Sequence, residues 1–262
     1  MKDLLKQKLD RAVETINRPD FIGADPVQFP RRFSDKRDIE IVSLLTSHIA
    51  WGNRKMICNN CEKLLKMLDN QPYHFLMEGD IESFDPDRNI HRTFFGRDLK
   101  YFLRGLRSIY AQHGSLEEFA LSGGSADSEA PAWHLASLIN CQLQQANQGK
   151  EKSVRCLPEN LGQTPLKRLN MALRWLVRDD GIVDMGVWQG IKPSQLFIPL
   201  DVHVADTSRT LGLLERRSND RKAVVELTDC LRRFDPTDPV KYDFALFGLG
   251  INNGSVEGEG VD

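Results

Sequence analysis

The stretch IPLDVHVADTSRTLGL, residues 198–213, contains a helix start and a helix end. Asp201 can accept a hydrogen bond from a backbone amide of the following turn, which is how an aspartate caps the beginning of a helix. Gly212 can adopt the left-handed backbone conformation that ends many helices. The apolar residues between them recur at helical spacing. The stretch therefore predicts a helix that begins directly after Asp201.

A second helix is predicted upstream in TPLKRLNMALRWLV, residues 164–177. Thr164 is a suitable N-cap, and the proline that follows it is favoured at the first helical position. Lys167 then lies in the first turn, and Met171 and Arg174 follow on the same face. Residues 146–165 are polar and contain glycine and proline, including Gly162. This composition predicts a connecting loop or a tight hairpin before the helix.

The sequence predicts that most of the rest of the chain is also helical. Apolar residues at helical spacing predict further helices at residues 39–49, 56–68, 99–110, 133–143, 221–234 and 239–249. No segment shows sustained two-residue alternation, and no internal repeat is present. We therefore predict an all-α fold forming a single domain over residues 1–262. Its two predicted lobes span about 38–145 and about 150–250, with an additional N-terminal segment.

The composition of the chain argues against a membrane-spanning, secreted or metal-cluster protein. Hydrophobic residues make up 40% of the chain and charged residues 27%, and no apolar run approaches the roughly 20 residues that span a bilayer. The N-terminus has no apolar signal-peptide core, so we expect a cytoplasmic monomer without membrane contact. Five scattered cysteines indicate reduced thiols. Only Cys58 and Cys61 are close together, and because no second pair exists we expect neither a metal cluster nor another cofactor.

Charge is informative through its distribution. The net charge of −2 does not favour a nucleic-acid enzyme, because phosphate binding usually requires an excess of lysine and arginine. Basic residues nevertheless cluster at 31–32, 36–37, 54–55, 97–107 and 150–178. One basic face on a nearly neutral protein is compatible with this pattern, as are ordinary solvated helix faces.

The order of these motifs resembles the helix-hairpin-helix superfamily of DNA glycosylases. That family has a Gly/Pro-rich hairpin, a lysine just after it, and an aspartate that begins a later helix, often within Pro-x-Asp-x-His followed by Arg-x-Leu-Gly. Residues 199–212 match that pattern. The spacing from Lys167 to Asp201 is closest to that of archaeal-type 8-oxoguanine glycosylases. The resemblance extends over about residues 38–250 and is specific in two blocks.

The resemblance implies that Lys167 attacks the sugar and that Asp201 supports it. Breaking an N-glycosidic bond leaves positive charge on the sugar, which a carboxylate stabilises, while a neutral amine can capture C1′ as a Schiff base. Taken singly, Asp201 would be an ordinary N-cap and Lys167 an ordinary surface residue. Their joint order indicates catalysis. By the same resemblance His203 is a phosphate contact, although a plain helix histidine would look alike.

The second matching block is KYDFALFG, residues 241–248. In oxidised-guanine glycosylases a late helix presents an Asp or Gln and, four residues later, an aromatic ring that stacks on the extruded base. Asp243 and Phe247 have this spacing, which places both on one helix face. The alternative is that Phe247 belongs to the apolar core.

Other assignments follow the same resemblance. Residues 41–52 resemble the helix and turn that reach into the gap left by a flipped nucleotide, so His48 and Trp51 are assigned to the base pocket with Met171 and Arg174. Arg168, Arg54 and Gly162 are assigned to DNA binding with His203. The hairpin departs from the family pattern, since Glu159-Asn160 replace its first glycine and the loop is longer. This departure weakens the case for backbone binding by the hairpin.

The sequence thus predicts a base-excision repair enzyme that binds double-stranded DNA containing a damaged base. It would be a glycosylase with AP lyase activity on an oxidised purine, 8-oxoguanine being the first candidate. Two alternatives remain open. One is a module of the same fold that binds nucleic acid without cutting it, and the other is a helical protein-interaction domain.

Overall fold

The computed structural model describes residues 2–148 and 155–256. Part of the predicted loop at 146–165, and the first residues of the basic cluster at 150–178, fall on 149–154 and so lie outside the described residues. The segment after residue 256, included in the predicted domain, lies outside them as well.

The described residues are mostly helical, in agreement with the predicted all-α class. The helices are α1 (Lys2–Ile16), α2 (Pro19–Ile22), α3 (Lys36–His48), α4 (Arg54–Met67), α5 (Pro72–Glu78), α6 (Gly96–Gln112), α7 (Leu116–Ser122), α8 (Pro131–Ala146), α9 (Lys167–Val177), α10 (Val202–Thr210), α11 (Arg221–Arg232) and α12 (Tyr242–Val256). Within the described residues, none of them combines the length and apolar character needed to cross a membrane.

A short antiparallel β-hairpin interrupts the helices. Strand β1 (Asn89–His91) pairs with β2 (Phe94–Phe95), and Arg92 in the turn has a positive φ of 50°. The expectation of a chain without strands was therefore wrong at this point. The two strands are too short to show an alternation in the sequence, which is the signal that predicts strands.

Capping bonds mark the starts of two helices. Asp35 accepts a hydrogen bond from the Arg37 amide at the start of α3, three residues before the predicted helix at 39–49. Asp201 accepts one from the Val204 amide at 2.8 Å at the start of α10. After α10, Gly212 has a φ of +68°, the left-handed conformation expected of a glycine that ends a helix.

The predicted start of α9 at Thr164 is wrong. The helix begins at Lys167, and the residue before it, Leu166, has a left-handed φ of 47° and is buried. The Thr164 carbonyl instead accepts a hydrogen bond from the Trp133 side chain of α8 at 2.9 Å. Burial of Leu166 and the bond to Trp133 hold residues 164–166 in a non-helical conformation, so tertiary contacts override the local capping signal.

Helix packing brings distant parts of the sequence together. Helix α3 packs against α9, α6 against α8, and α12 contacts both α10 and α1. The contact of α1 with α12 includes a hydrogen bond from the Tyr242 hydroxyl to the Asp10 carboxylate. A second apolar cluster of Val27, Trp175, Val183 and Phe244 lies next to the main core. The N-terminal segment is thereby bound to the helices that carry the predicted site residues.

Candidate functional site

Lys167 and Asp201 lie side by side. The Nζ atom of Lys167 is 3.2 Å from Oδ2 of Asp201, with side-chain exposures of 32% and 21%. The other carboxylate oxygen, Oδ1, caps α10 through the Val204 amide. The two readings of Asp201 are therefore compatible, because one oxygen begins the helix and the other faces the lysine.

The pair opens onto a cavity of about 560 Å³. Its lining includes most of the residues assigned from the sequence, namely Lys167, Asp201, Met171, Arg174, Asp243, Phe247, Trp51, Arg54 and His203. Helices α9, α10 and α12 and the turn before α4 supply them. Residues up to 196 positions apart in the sequence thus converge on one cavity, as Asp243 and Phe247 do with Trp51.

Asp243 lies at the buried end of this cavity. Its Oδ2 pairs with the Arg174 guanidinium, which also contacts Asp184 at 3.2 Å. Burial raises the pKa of Asp243 to about 6, although the Arg174 charge opposes the shift. Oδ1 of Asp243 forms no hydrogen bond within residues 2–148 and 155–256. One oxygen is therefore held by arginine, and the other can accept a bond from a ligand.

Arg174 lines the cavity but is not available for phosphate. Its side chain is 5% exposed and has two carboxylate partners, Asp184 and Asp243. Arg178, one turn later, pairs with Asp184 at 3.0 Å and Asp238 at 2.7 Å. Arg174, which the resemblance assigns to the base pocket, therefore lines the cavity with its charge already neutralised by Asp184 and Asp243.

An aromatic wall forms one side of the cavity. The Phe247 ring is only half-buried, and the Arg54 guanidinium lies 5.1 Å from its centroid. Phe21 contacts Phe247 edge-to-face, with ring centroids 6.2 Å apart. The alternative that Phe247 is simply core does not describe this position, since the ring lines the cavity. Arg54, assigned to DNA binding, is part of the same wall.

Phe21 and Asp25 are cavity residues that sequence reasoning missed. Phe21 belongs to the four-residue helix α2, which is too short to show periodicity. Asp25 caps a single helical turn at Pro26–Gln28 by accepting a bond from the Val27 amide. The Asp25-Pro26 pair is a local signal for that turn. Nothing in the local sequence indicates that it faces Lys167.

A second cavity, of about 500 Å³, lies on the other side of Lys167. It shares Lys167, Ala50 and Trp51 with the first cavity and contains Arg168 and His48. Arg168 lies 4.3 Å from the Trp51 ring centroid and donates to the His48 carbonyl. Burial lowers the pKa of Arg168. Trp51 thus separates the two cavities, with Lys167 at their junction.

His48, which the resemblance assigns to the base pocket, does not line the first cavity. The side chain is 5% exposed, packs among the rings of Trp51, Phe94 and Phe102, and lines the second cavity only. Burial, together with the Arg168 charge, lowers the pKa of His48 to about 3, so the ring is neutral near pH 7. The neutral ring packs inside an aromatic cluster, and its buried Nε2 forms no hydrogen bond within the described residues.

The remaining assigned residues lie at the surface. His203 is exposed in the first turn of α10 and lines the first cavity. Gly162 is exposed, and its amide donates to the side chain of Asn160 within the same loop. The next residue, Gln163, accepts a bond from the Arg221 amide at the start of α11. Gly162 does not line either of these two cavities.

The described residues contain no cluster of three or more His, Cys, Asp or Glu side chains placed to hold a metal ion. None of the five cysteines, all of which lie in the described residues, forms a disulfide bond, and two of them are buried. What the site offers chemically is therefore an amine, three carboxylates, two arginines and aromatic rings around one cavity. It defines a helical protein with a lysine–carboxylate pair at a ligand-sized opening.

The chain belongs to the family described as "Protein of unknown function (DUF2400)", whose model matches residues 25–252. No curated protein and no solved structure matches the chain. The matched region begins at Asp25 and includes Lys167, Asp201, Asp243 and Phe247. The family assignment therefore covers the cavity lining except Phe21, although its description gives no activity.

Proposed function

We propose that this protein is a DNA glycosylase with AP lyase activity, acting in base-excision repair on an oxidised purine, with 8-oxoguanine as the first candidate. The observation that carries the proposal is the Lys167–Asp201 pair, 3.2 Å apart at the opening of a cavity that also contains Phe247 and Asp243. An amine and a carboxylate at one reacting atom are what bifunctional base removal requires.

In the proposed reaction Lys167 attacks C1′ of the damaged nucleotide. A bond forms from Nζ to C1′ while the bond from C1′ to the base nitrogen breaks, and that electron pair leaves with the base. The amine must be neutral when it attacks, so a proton of the resting ion pair passes to water first, and the departing base takes up a proton. Opening of the sugar ring then gives the Schiff base from which the lyase step proceeds.

Asp201 stabilises the positive charge that develops on the sugar. Its Oδ1 is held by the Val204 amide, so Oδ2 has a fixed direction before the substrate arrives. A carboxylate that is already oriented does not have to reorganise during the reaction, and this preorganisation is the main source of electrostatic catalysis.

The first cavity would receive the extruded base. Phe247 supplies a half-buried ring for stacking, and Asp243 supplies an acceptor oxygen for an N–H group of the base. The DNA would lie in a cleft between two lobes, the arrangement expected of the helix-hairpin-helix glycosylases. Arg168 and the exposed His203 flank Lys167 and Asp201 and are the candidates for phosphate contacts.

Borohydride trapping on an 8-oxoguanine duplex tests the proposal. The wild-type protein should give a covalent protein–DNA adduct, and Lys167→Gln should give none. Lys222→Gln is the matched control, because Lys222 is an exposed lysine in the first turn of α11 and lines neither of these cavities. An absent wild-type adduct, or one undiminished in Lys167→Gln, would contradict the assignment.

A second candidate function is a module that binds damaged DNA without cutting it. The ion pair favours it, because an ammonium group held by Asp201 is not a nucleophile. Binding that weakens with salt, combined with no base release from a panel of lesions, would support this candidate over the enzyme.

A further inference from the structure

Asp25 lines the first cavity, and only one of its two carboxylate oxygens accepts a hydrogen bond within the described residues. Its Oδ1 accepts the Val27 amide at 3.0 Å, whereas Oδ2 lies 3.8 Å from the Arg54 guanidinium, which is beyond hydrogen-bond distance. Oδ2 forms no hydrogen bond within the described part of the chain and is not sealed from the cavity. The side chain is only 14% exposed and lines the cavity.

The position of Asp25 relates it to the proposed reaction. Lys167 and Arg174 both act electrostatically on Asp25, and Arg54 links it to the Phe247 ring. Burial raises the pKa of Asp25 because the charged form is poorly solvated. Because Oδ2 is open to the cavity and forms no hydrogen bond within the described residues, a ligand that brings an N–H group can donate to it.

We infer that Asp25 is a specificity-determining residue, which together with Asp243 selects a base that carries N–H donors on two edges. The inference rests on the proposed function, since it concerns the base that enters the cavity beside Lys167. It adds a contact from the N-terminal segment, which the resemblance to known glycosylases did not assign.

Two acceptor carboxylates discriminate between purines. An ionised carboxylate only accepts hydrogen bonds. Intact guanine presents N7 as an acceptor on its imidazole edge, so that edge leaves one carboxylate without a donor. Oxidation at C8 places a hydrogen on N7, and the oxidised base then has N–H donors on both its imidazole and its Watson–Crick edges. The pocket would therefore hold the oxidised purine and reject the intact one.

The substitution Asp25→Asn tests this inference without removing the local cap, because asparagine caps helix starts as well as aspartate does. Asp80→Asn is the matched control. Asp80 caps the single turn at Ile81–Ser83 through the Glu82 amide in the same way, but it is exposed and lies outside the first cavity. Each protein is assayed for release of 8-oxoguanine from a duplex and for strand cleavage at a preformed abasic site.

Asp25→Asn should release 8-oxoguanine about 10- to 100-fold more slowly, the loss expected for one hydrogen bond to a charged group. Its cleavage of the abasic site should stay within about twofold of wild type, because that step needs no base in the pocket. Asp80→Asn should match wild type in both assays.

Three outcomes would overturn the inference, and they are distinguishable. Unchanged 8-oxoguanine release by Asp25→Asn removes Asp25 as a specificity residue and leaves the proposed function intact. An equal loss in both assays, accompanied by a lower melting temperature, assigns Asp25 a structural role instead. A wild-type protein inactive on the abasic site and on every lesion refutes the proposed function, and the inference with it.

Discussion

Two groups of ion pairs lie about two helical turns apart, one at the start of α9 and one at its end. They differ in how many carboxylate partners each basic side chain has. Arg174 and Arg178 share the fully buried Asp184 and have further carboxylate partners in Asp243 and Asp238. Among the residues that the structure describes, Lys167 forms an ion pair only with Asp201, and both side chains are partly exposed at a cavity. We expect the ion pairs of Arg174 and Arg178 to stabilise the fold. The Lys167–Asp201 pair instead leaves an amine and a carboxylate accessible at the cavity.

The comparison predicts where a substitution unfolds the protein and where it only inactivates it. A buried charge that loses its partner costs several kcal/mol, because the remaining charge is neither solvated nor paired. A half-exposed pair costs little, because water replaces the lost partner. The four predictions below test this difference, beginning with the largest effect.

Asp184→Ala should lower the free energy of unfolding by about 3–5 kcal/mol, because one buried N–H donor of Arg174 and one of Arg178 lose their acceptor, although both arginines keep other carboxylate partners. Urea denaturation followed by circular dichroism measures this change. A decrease in the free energy of unfolding of less than about 1 kcal/mol would show that water reaches the two arginines. The ion pairs of Arg174 and Arg178 would then not be important for stability.

Asp201→Asn should reduce 8-oxoguanine release by about 100- to 1,000-fold, since a neutral amide no longer stabilises the positive charge on the sugar. Its stability should stay within about 0.5 kcal/mol of wild type, because asparagine still caps α10. Single-turnover release rates and urea denaturation give both numbers. Normal release by this variant would exclude an electrostatic role for Asp201.

Acidification should reduce 8-oxoguanine release with a midpoint near pH 6, because protonated Asp243 offers a donor in place of one acceptor. Asp243→Asn should be slower at pH 7 and should lack this pH dependence. The contribution of Asp243 to stability changes with pH in the opposite direction to that of a typical carboxylate. Since burial raises the folded pKa above its ordinary 3.8, the contribution of Asp243 to stability falls as the pH rises from 3.8 to about 6.

Lys167→Met should change the free energy of unfolding by no more than about 0.5 kcal/mol, because exposed pairs contribute little to stability. The same variant should have no detectable lyase activity. Thermal melting and the abasic-site assay measure the two properties. A large loss of stability would mean that Lys167 is part of the structural framework.

The parts of the molecule that could be predicted from the sequence are those specified by local interactions. The cap at Asp201, the glycine after α10 and the one-turn spacing of Asp243 and Phe247 involve residues within a few positions of each other. Backbone hydrogen bonding and helical periodicity are enough to predict them. Pairing of Lys167 with Asp201 was expected from resemblance, and no local signal specifies it.

The parts that could not be predicted depend on contacts between distant segments. Leu166 adopts a left-handed conformation because it is buried and Trp133 holds the neighbouring Thr164, so the capping signal of Thr164 was misleading. Phe21 and Asp25 enter the cavity because α1 packs on α12 and carries the following residues with it. The pairing of Arg174 with Asp184 and Asp243 likewise appears only once the chain has folded.

The most direct test of the account is to locate the covalent bond. The protein is trapped on an 8-oxoguanine duplex with borohydride, the DNA is digested, and the modified peptide is identified by mass spectrometry. We predict that the reduced sugar is attached to the side chain of Lys167. Attachment to another lysine or to the N-terminal amine would contradict the central claim that Lys167 and Asp201 form the reacting pair.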